Sequence, residues 1–130
     1  MAGRRPSTRD LFVLKCSVTM IYRIAEATDW SAAQRQGFFA SPDLAAEGFI
    51  HFSERHQVQG VSERYYAGKV NLTLLAVDET QLAAPVRREN TRGGAELFPH
   101  VYGPVPLAAV VAHAPLVRDA DGRIQWPAGW

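Results

Sequence analysis

The order in which helix and strand signals follow one another limits this chain more than any single motif does. Ile21 to Ala25 reads as a short strand. Thr28 or Asp29 can cap a helix running to about Gln36, with Gly37 well placed to stop it. Ser41-Pro42 is a second start, a capping serine with proline at the first helical position, and Gly48 ends the short turn it opens. A strand at Phe49 to Ser53 follows. Next comes a helix from about Gln57 to Tyr66, with Val58, Val61 and Tyr65 at core-facing spacing. Asn71 to Asp78 is the strongest strand in the chain, and Val86 to Glu89 is a further short one. Leu107 to His113 is an apolar run cut by Pro115, and Leu116-Val117 and Arg123 to Trp126 flank a hairpin turn at Asp119 to Gly122. Helices early and strands late predict α+β architecture: a curved, mostly antiparallel sheet with two or three helices, not an alternating parallel one.

Length and charge narrow the class. The chain has 130 residues, 47% of them hydrophobic and 21% charged, as expected of one soluble domain with a single core. A formal net charge of +1 provides no broad basic footprint for nucleic acid, although Arg87, Arg88 and Arg92 lie close together. Cys16 stands alone, so neither an internal disulfide nor a cysteine-based zinc site is expected. His51, His56, His100 and His113 do not fall at ligand spacing, so no metal is expected. Met1 to Thr19 is basic and then apolar, broken by Lys15 and without a cleavage motif. It is read as a poorly ordered arm preceding a single domain over 20–130: either an over-extended start, with Met20 as the beginning, or a targeting segment. No stretch approaches the ~18 apolar residues of a membrane span. The protein is expected to be cytoplasmic.

Gly48-Phe49-Ile50-His51-Phe52-Ser53 carries the chemistry. On a strand, Phe49, His51 and Ser53 share one face, and Ile50 and Phe52 the other. An imidazole beside a hydroxyl on so apolar a strand points to a binding surface for a ribose or similar polyol, since imidazole both donates and accepts. The alternative is a histidine bridging to a neighbouring strand. Gln57, opening the next helix, either reaches back to a ligand or caps that helix. Arg23 either grips a phosphate or carboxylate or lies on a solvated edge. In Arg87-Arg88-Glu89, Arg87 and Glu89 share a face and Arg88 takes the other. The pair is either an exposed ion pair that contributes little, or Glu89 faces the cleft as a candidate base or ribose ligand; Arg88 is a candidate ligand contact. His100 and Tyr102, flanked by Pro99, Gly103 and Pro104, read as functional groups on a rigid irregular loop, a general acid or ligand contact; the alternative is that Tyr102 packs on the core and His100 caps a carbonyl. There is no nucleophile elbow and no phosphate-binding glycine loop, and Gly93-Gly94 is a turn signal. Catalysis would therefore rest on His, Glu, Tyr and Arg.

Several of these segments occur together in one known pattern. Ile21-Tyr22-Arg23-Ile24, the Trp30 to Gly37 helix, Glu47 to Ser53 with Gln57, Leu74 to Asp78, Glu89, and Phe98-Pro99-His100-Val101-Tyr102-Gly103-Pro104 appear in that order. Together they resemble the small bacterial and plant family called domain of unknown function 952, over essentially Met20 to Trp126. That family's fold is similar to the ADP-ribosyltransferase superfamily, which includes poly-ADP-ribose polymerases and RNA 2′-phosphotransferases. The wider resemblance implies NAD as a substrate, with Tyr22-Arg23 where a Tyr-His or Tyr-Arg pair holds NAD. It also implies a late glutamate on the nicotinamide ribose. Glu89 and Glu96 are both near, and the match selects neither.

Three functions follow. The first is a cleft binding NAD or an ADP-ribose-like nucleotide, with Arg23, Ser53, Gln57 and Arg88 as ligand contacts and His51, His100, Tyr102 and Glu89 as catalytic groups. The second is acid–base chemistry in the same cleft on an unrelated small metabolite. The third is a non-catalytic ligand-binding module. Trp126 and Trp130 either cover a sheet face or form the aromatic edge of a homodimer.

Overall fold

The computed structural model describes residues 19–130; the readings for positions 1–18, Cys16 among them, lie outside that range. Strand β1 (Met20–Glu26) runs directly into helix α1 (Ala27–Gln36), followed by β2 (Phe38–Phe39), α2 (Pro42–Glu47), β3 (Ile50–His51) and α3 (Val58–Tyr65). The second half is almost all strand: β4 (Leu72–Asp78), β5 (Val86–Glu89), β6 (Phe98–Val101), β7 (Val105–Pro106) and β8 (Val110–Pro115). Three single 3-10 turns, at Arg55–Gln57, Glu79–Gln81 and Leu107–Ala109, complete the order. The fold is a small α+β domain.

Its strands form not one curved sheet but three short ones, ordered β1-β4-β8, β3-β6-β5 and β2-β7, with every pair antiparallel. Tyr22 and Ser53 exchange backbone hydrogen bonds of 2.8 Å in both directions, which stitches β1 to the chain leaving β3. That stitch brings Arg23 beside His51.

Strand β4 reads as an unbroken apolar run because both of its faces are covered. Leu75 and Val77 join Ile21, Ala25, Trp30 and Phe39 in one core cluster. Leu72, Leu74 and Ala76 join Tyr22, Ile24, Val58 and Ile124 in another. Trp126 and Trp130 cover Tyr22 on this second face, at ring-centroid distances of 5.3 and 6.4 Å. Trp30 is buried and packs on His113, with centroids 5.0 Å apart.

The glycine stops lie where the sequence places them. Gly37 and Gly48 adopt φ of 95° and 88°, a region costly for any residue with a Cβ, and each returns its N–H to the end of its helix. Other expectations need correction. Helix α1 starts at Ala27, ahead of Thr28 and Asp29, because the Ala27 N–H is taken by the Asn71 carbonyl as β1 ends. Tyr65 does not face the core; Val58 and Ser62 do. The Asp119–Gly122 turn forms, but its flanks meet in a single bridge, Arg118 to Ile124, and not in a two-stranded ribbon. His100 stands on a regular strand, not an irregular loop.

Candidate functional site

The site begins with a cross-strand pair. In the β3–β6 ladder His51 lies opposite His100. The next residue along, Phe52, donates its N–H to the Pro99 carbonyl at 2.9 Å, so Phe52 and Pro99 are the hydrogen-bonded pair. His51 and His100 are therefore the non-hydrogen-bonded kind, in which side chains stand closer. Their ring centroids are 5.0 Å apart. Phe49 stacks on His100 at 4.1 Å and leans on His51 at 4.9 Å, fixing both rings from one side.

Each imidazole has its own carboxylate. His100 Nδ1 lies 2.9 Å from Glu89 Oε2, and the Tyr102 hydroxyl donates to that same oxygen. The Tyr102 hydrogen bond, followed by that from His100, holds the Glu89 carboxyl below its usual range; the same bond raises the Tyr102 phenol. An ionised carboxylate only accepts, so Nδ1 of His100 must carry the hydrogen. Its Nε2 is left as the basic nitrogen of a side chain that lines the cleft. His51 mirrors this arrangement. Its Nε2 lies 3.1 Å from Glu47 Oε2, one helical turn earlier in sequence, so Nδ1 becomes its free acceptor. Burial lowers the His51 pKa below 6.5, with His100 and Arg23 adding to the effect against Asp43 and Glu47. That shift favours the neutral ring.

Behind His51 lies a hub that sequence reading missed. In a non-hydrogen-bonded pair the His51 N–H and carbonyl point away from β6. Asp43 Oδ2 accepts that N–H at 2.9 Å, and Arg23 Nη1 donates to that carbonyl at 3.0 Å. Arg23 and Asp43 pair with each other at 2.9 Å, and the Ser41 hydroxyl donates to the other Asp43 oxygen. Burial pushes the Asp43 carboxyl up, but Arg23, the His51 amide and Ser41 outweigh it and hold it below 3.8. The only trace in the sequence is an acidic residue in the first turn of α2, a position that helix electrostatics alone would explain. Ser41 precedes that helix without capping it, because its hydroxyl goes to Asp43.

Arg23, Ser53, His51, Glu89 and His100 line one cleft of about 620 Å³, together with Asp43 and Glu47. Tyr102 reaches it through Glu89. Glu96 lines it too, with Oε2 bound to Gln57 Nε2 at 3.0 Å. Two expected ligand contacts lie elsewhere, on a separate open hollow. The Gln57 amide is taken up within the protein: it accepts the Glu54 N–H and donates to the Leu97 carbonyl at 2.8 Å. Arg88 points away from Glu89, as strand alternation requires. It is held by Glu79 at 2.7 Å and Glu54 at 2.9 Å, bonds that keep its guanidinium firmly charged. Among the described residues no three His, Cys, Asp or Glu side chains are grouped to hold a metal ion, and no helix is long and apolar enough to cross a membrane.

Comparison with known proteins agrees on the family. The crystal structure of protein CC0527 from Caulobacter crescentus is 41% identical, covers 82% of this chain and 94% of its own, and superposes with a TM-score of 0.72. The solution NMR structure of CC0527 is 40% identical over 81% of this chain and 90% of its own, with a TM-score of 0.69. No curated protein matches the chain. The pattern of the family described as "Protein of unknown function (DUF952)" matches residues 24–113, and to that family the chain belongs.

Proposed function

We propose that this protein is an enzyme performing acid–base chemistry on a small polar molecule bound in the cleft. The observation that carries the reading is the carboxylate on each imidazole, which fixes a tautomer and leaves one lone-pair nitrogen per ring. His100 is the proton acceptor: when Nε2 takes a proton, the imidazolium is stabilised by Glu89 on the far side of the ring, as in other carboxylate–histidine pairs. His51, uncharged and anchored by Asp43, accepts a ligand hydroxyl at Nδ1, with Ser53 beside it.

An NAD- or ADP-ribose-type ligand on an ADP-ribosyltransferase-like fold draws less support from the site. The Arg23 guanidinium that would take a phosphate is already bound to Asp43 and the His51 carbonyl. Glu89, the expected ribose ligand, is turned to His100 and Tyr102.

The test is a thermal-shift screen of small metabolites that includes NAD and ADP-ribose, with hits followed for turnover in wild type, His100→Ala and Glu89→Gln. The expected result is a ligand bound by all three proteins and converted by wild type alone at full rate. A ligand that is bound but never converted makes the protein a binding module. Ring ¹⁵N NMR showing neutral His100 protonated at Nε2 removes its assigned role.

A further inference from the structure

The cleft continues past the histidines to a lip formed by α3 and the loop between β5 and β6. Here two guanidinium groups meet one tyrosine. Arg64 and Arg92 place their Cζ atoms 6.0 and 5.9 Å from the Tyr65 ring centroid, and all three residues line the cleft. Tyr65 is 53% exposed, unusual for a ring on a helix whose spacing predicts a core position. The ion pairs among the described residues engage Arg23, His51, Lys69, Arg88 and His100, and neither Arg64 nor Arg92.

Both arginines stand on locally shaped backbone. Gly60, inside α3, leaves open the space beside the Arg64 guanidinium; a Cβ there would lie 3.3 Å from Arg64 Nη1. Glycine inside a helix is unfavourable, so the position has a local reason. The Arg92 loop is pinned by Asn90, whose Oδ1 accepts the N–H groups of Arg92 at 2.8 Å and Gly94 at 3.0 Å. Asn90 Nδ2 then donates to the Glu96 carbonyl at 2.7 Å. Gly94 packs so tightly that a Cβ would sit 2.9 Å from Asn90 Nδ2. Two like charges, one on a helix and one on a pinned loop, thus flank one aromatic ring.

We propose that this lip binds the oxyanion of the cleft's ligand: a phosphate or carboxylate gripped by Arg64 and Arg92, with a planar part of the molecule against Tyr65. Guanidinium forks match both anions bidentately and stack on aromatic rings. The cleft's charge then orients the ligand. Glu26, Asp29, Asp43 and Glu47, from β1, α1 and α2, disfavour the anion there, whereas the two carboxylates nearer the lip are engaged, Glu96 by Gln57 and Glu89 by His100 and Tyr102. The anionic end stays on the α3 side, and the other end is left to His51 and His100. The proposal rests on the acid–base reading only for what happens at that far end.

The experiment titrates ¹⁵N-labelled protein with phenyl phosphate and with benzoate, which separates phosphate from carboxylate recognition. Wild type is expected to show saturable shifts at positions 64–66 and 91–94. Arg64→Ala and Arg92→Ala should each weaken the tighter probe by about tenfold, the loss of one charge-assisted contact. Arg92→Lys should weaken it too, since the charge stays but the fork is lost. The readout is binding of the probe and not turnover, so a failed acid–base role and a failed anion site give different results. Undiminished affinity in the Arg64→Ala/Arg92→Ala double variant overturns the proposal, as do shifts confined to other surfaces or no saturable binding by wild type.

Discussion

Replacing Asp43 by alanine removes three hydrogen-bond partners from the site at once: the Arg23 guanidinium, the His51 amide and the Ser41 hydroxyl. The Arg23 and Asp43 side chains are each only 13% exposed, so the pair counts as largely buried. Stripping one partner from a buried pair costs about 3–5 kcal/mol, chiefly through the charge left behind. The two neutral donors add about 1 kcal/mol each where water does not replace the carboxylate. The cleft opens beside them, so water recovers part of this, and about 3–4 kcal/mol is expected for Asp43→Ala. Arg23→Met should cost less. Arg23 Nε is already buried without a partner, and its removal relieves a penalty of about 1–3 kcal/mol. The double variant should therefore be more stable than the sum of the singles predicts, by about 1–3 kcal/mol. Urea unfolding at neutral pH, followed by circular dichroism on all four proteins, measures that coupling. Additivity within about 0.5 kcal/mol would show that the ion pair does not organise the site, and the account of His51 anchoring would fall with it. The pH dependence has a definite sign. The folded Asp43 pKa lies below 3.8, so its contribution is fully present above that value and disappears as acid carries the pH down through the folded pKa.

Four further outcomes are expected. In Glu89→Gln the Tyr102 phenol, held above 10.0 chiefly by its bond to Glu89, should titrate closer to that value, read from its ring resonances. His51 should titrate below 6.5 by NMR, and lower still in Glu47→Gln, because Glu47 opposes the effect of burial. For this group the unfolded chain binds the proton more readily, so its contribution to stability falls as pH drops below 6.5 and levels off under the folded pKa. Gly103→Ala should cost about 1–3 kcal/mol in urea unfolding, because its Cβ would sit 2.7 Å from the Ala84 methyl, and adding Ala84→Gly should recover part of that. Gly60→Ala should stabilise α3 by about 0.5–1 kcal/mol while weakening phenyl phosphate, since the new methyl displaces the Arg64 guanidinium.

Much of the fold is written locally. A strand at Met20–Glu26, helix stops at Gly37 and Gly48, and the double-faced apolar strand at Leu72–Asp78 follow from short-range rules that packing does not override. Strand β6 is different. Pro99 lacks an N–H, and with Gly103 and Pro104 nearby the segment reads as a loop. The strand nevertheless sits in the middle of its sheet, because Pro99 needs only its carbonyl there, as acceptor for Phe52. Tyr65 was misread for a related reason: spacing shows which residues share a helix face, not whether a neighbour covers that face.

The division at the site is similar. Sequence alone marked His51, Ser53, His100 and Tyr102 as chemically out of place in apolar or rigid surroundings, since that judgement needs only the residue and its near neighbours; Glu89 it left between an exposed ion pair and a cleft residue. Ladder register and the stitch between Tyr22 and Ser53 decided the rest: which nitrogen meets which carboxylate, that Asp43 anchors His51, and that Arg88 and Gln57 lie on a separate hollow. Hydrogen bonds act over about 3 Å, so His100 and Glu89 meet only once β5 and β6 pair in register, and Arg88 reaches Glu54, 34 positions away, only once the sheets have closed.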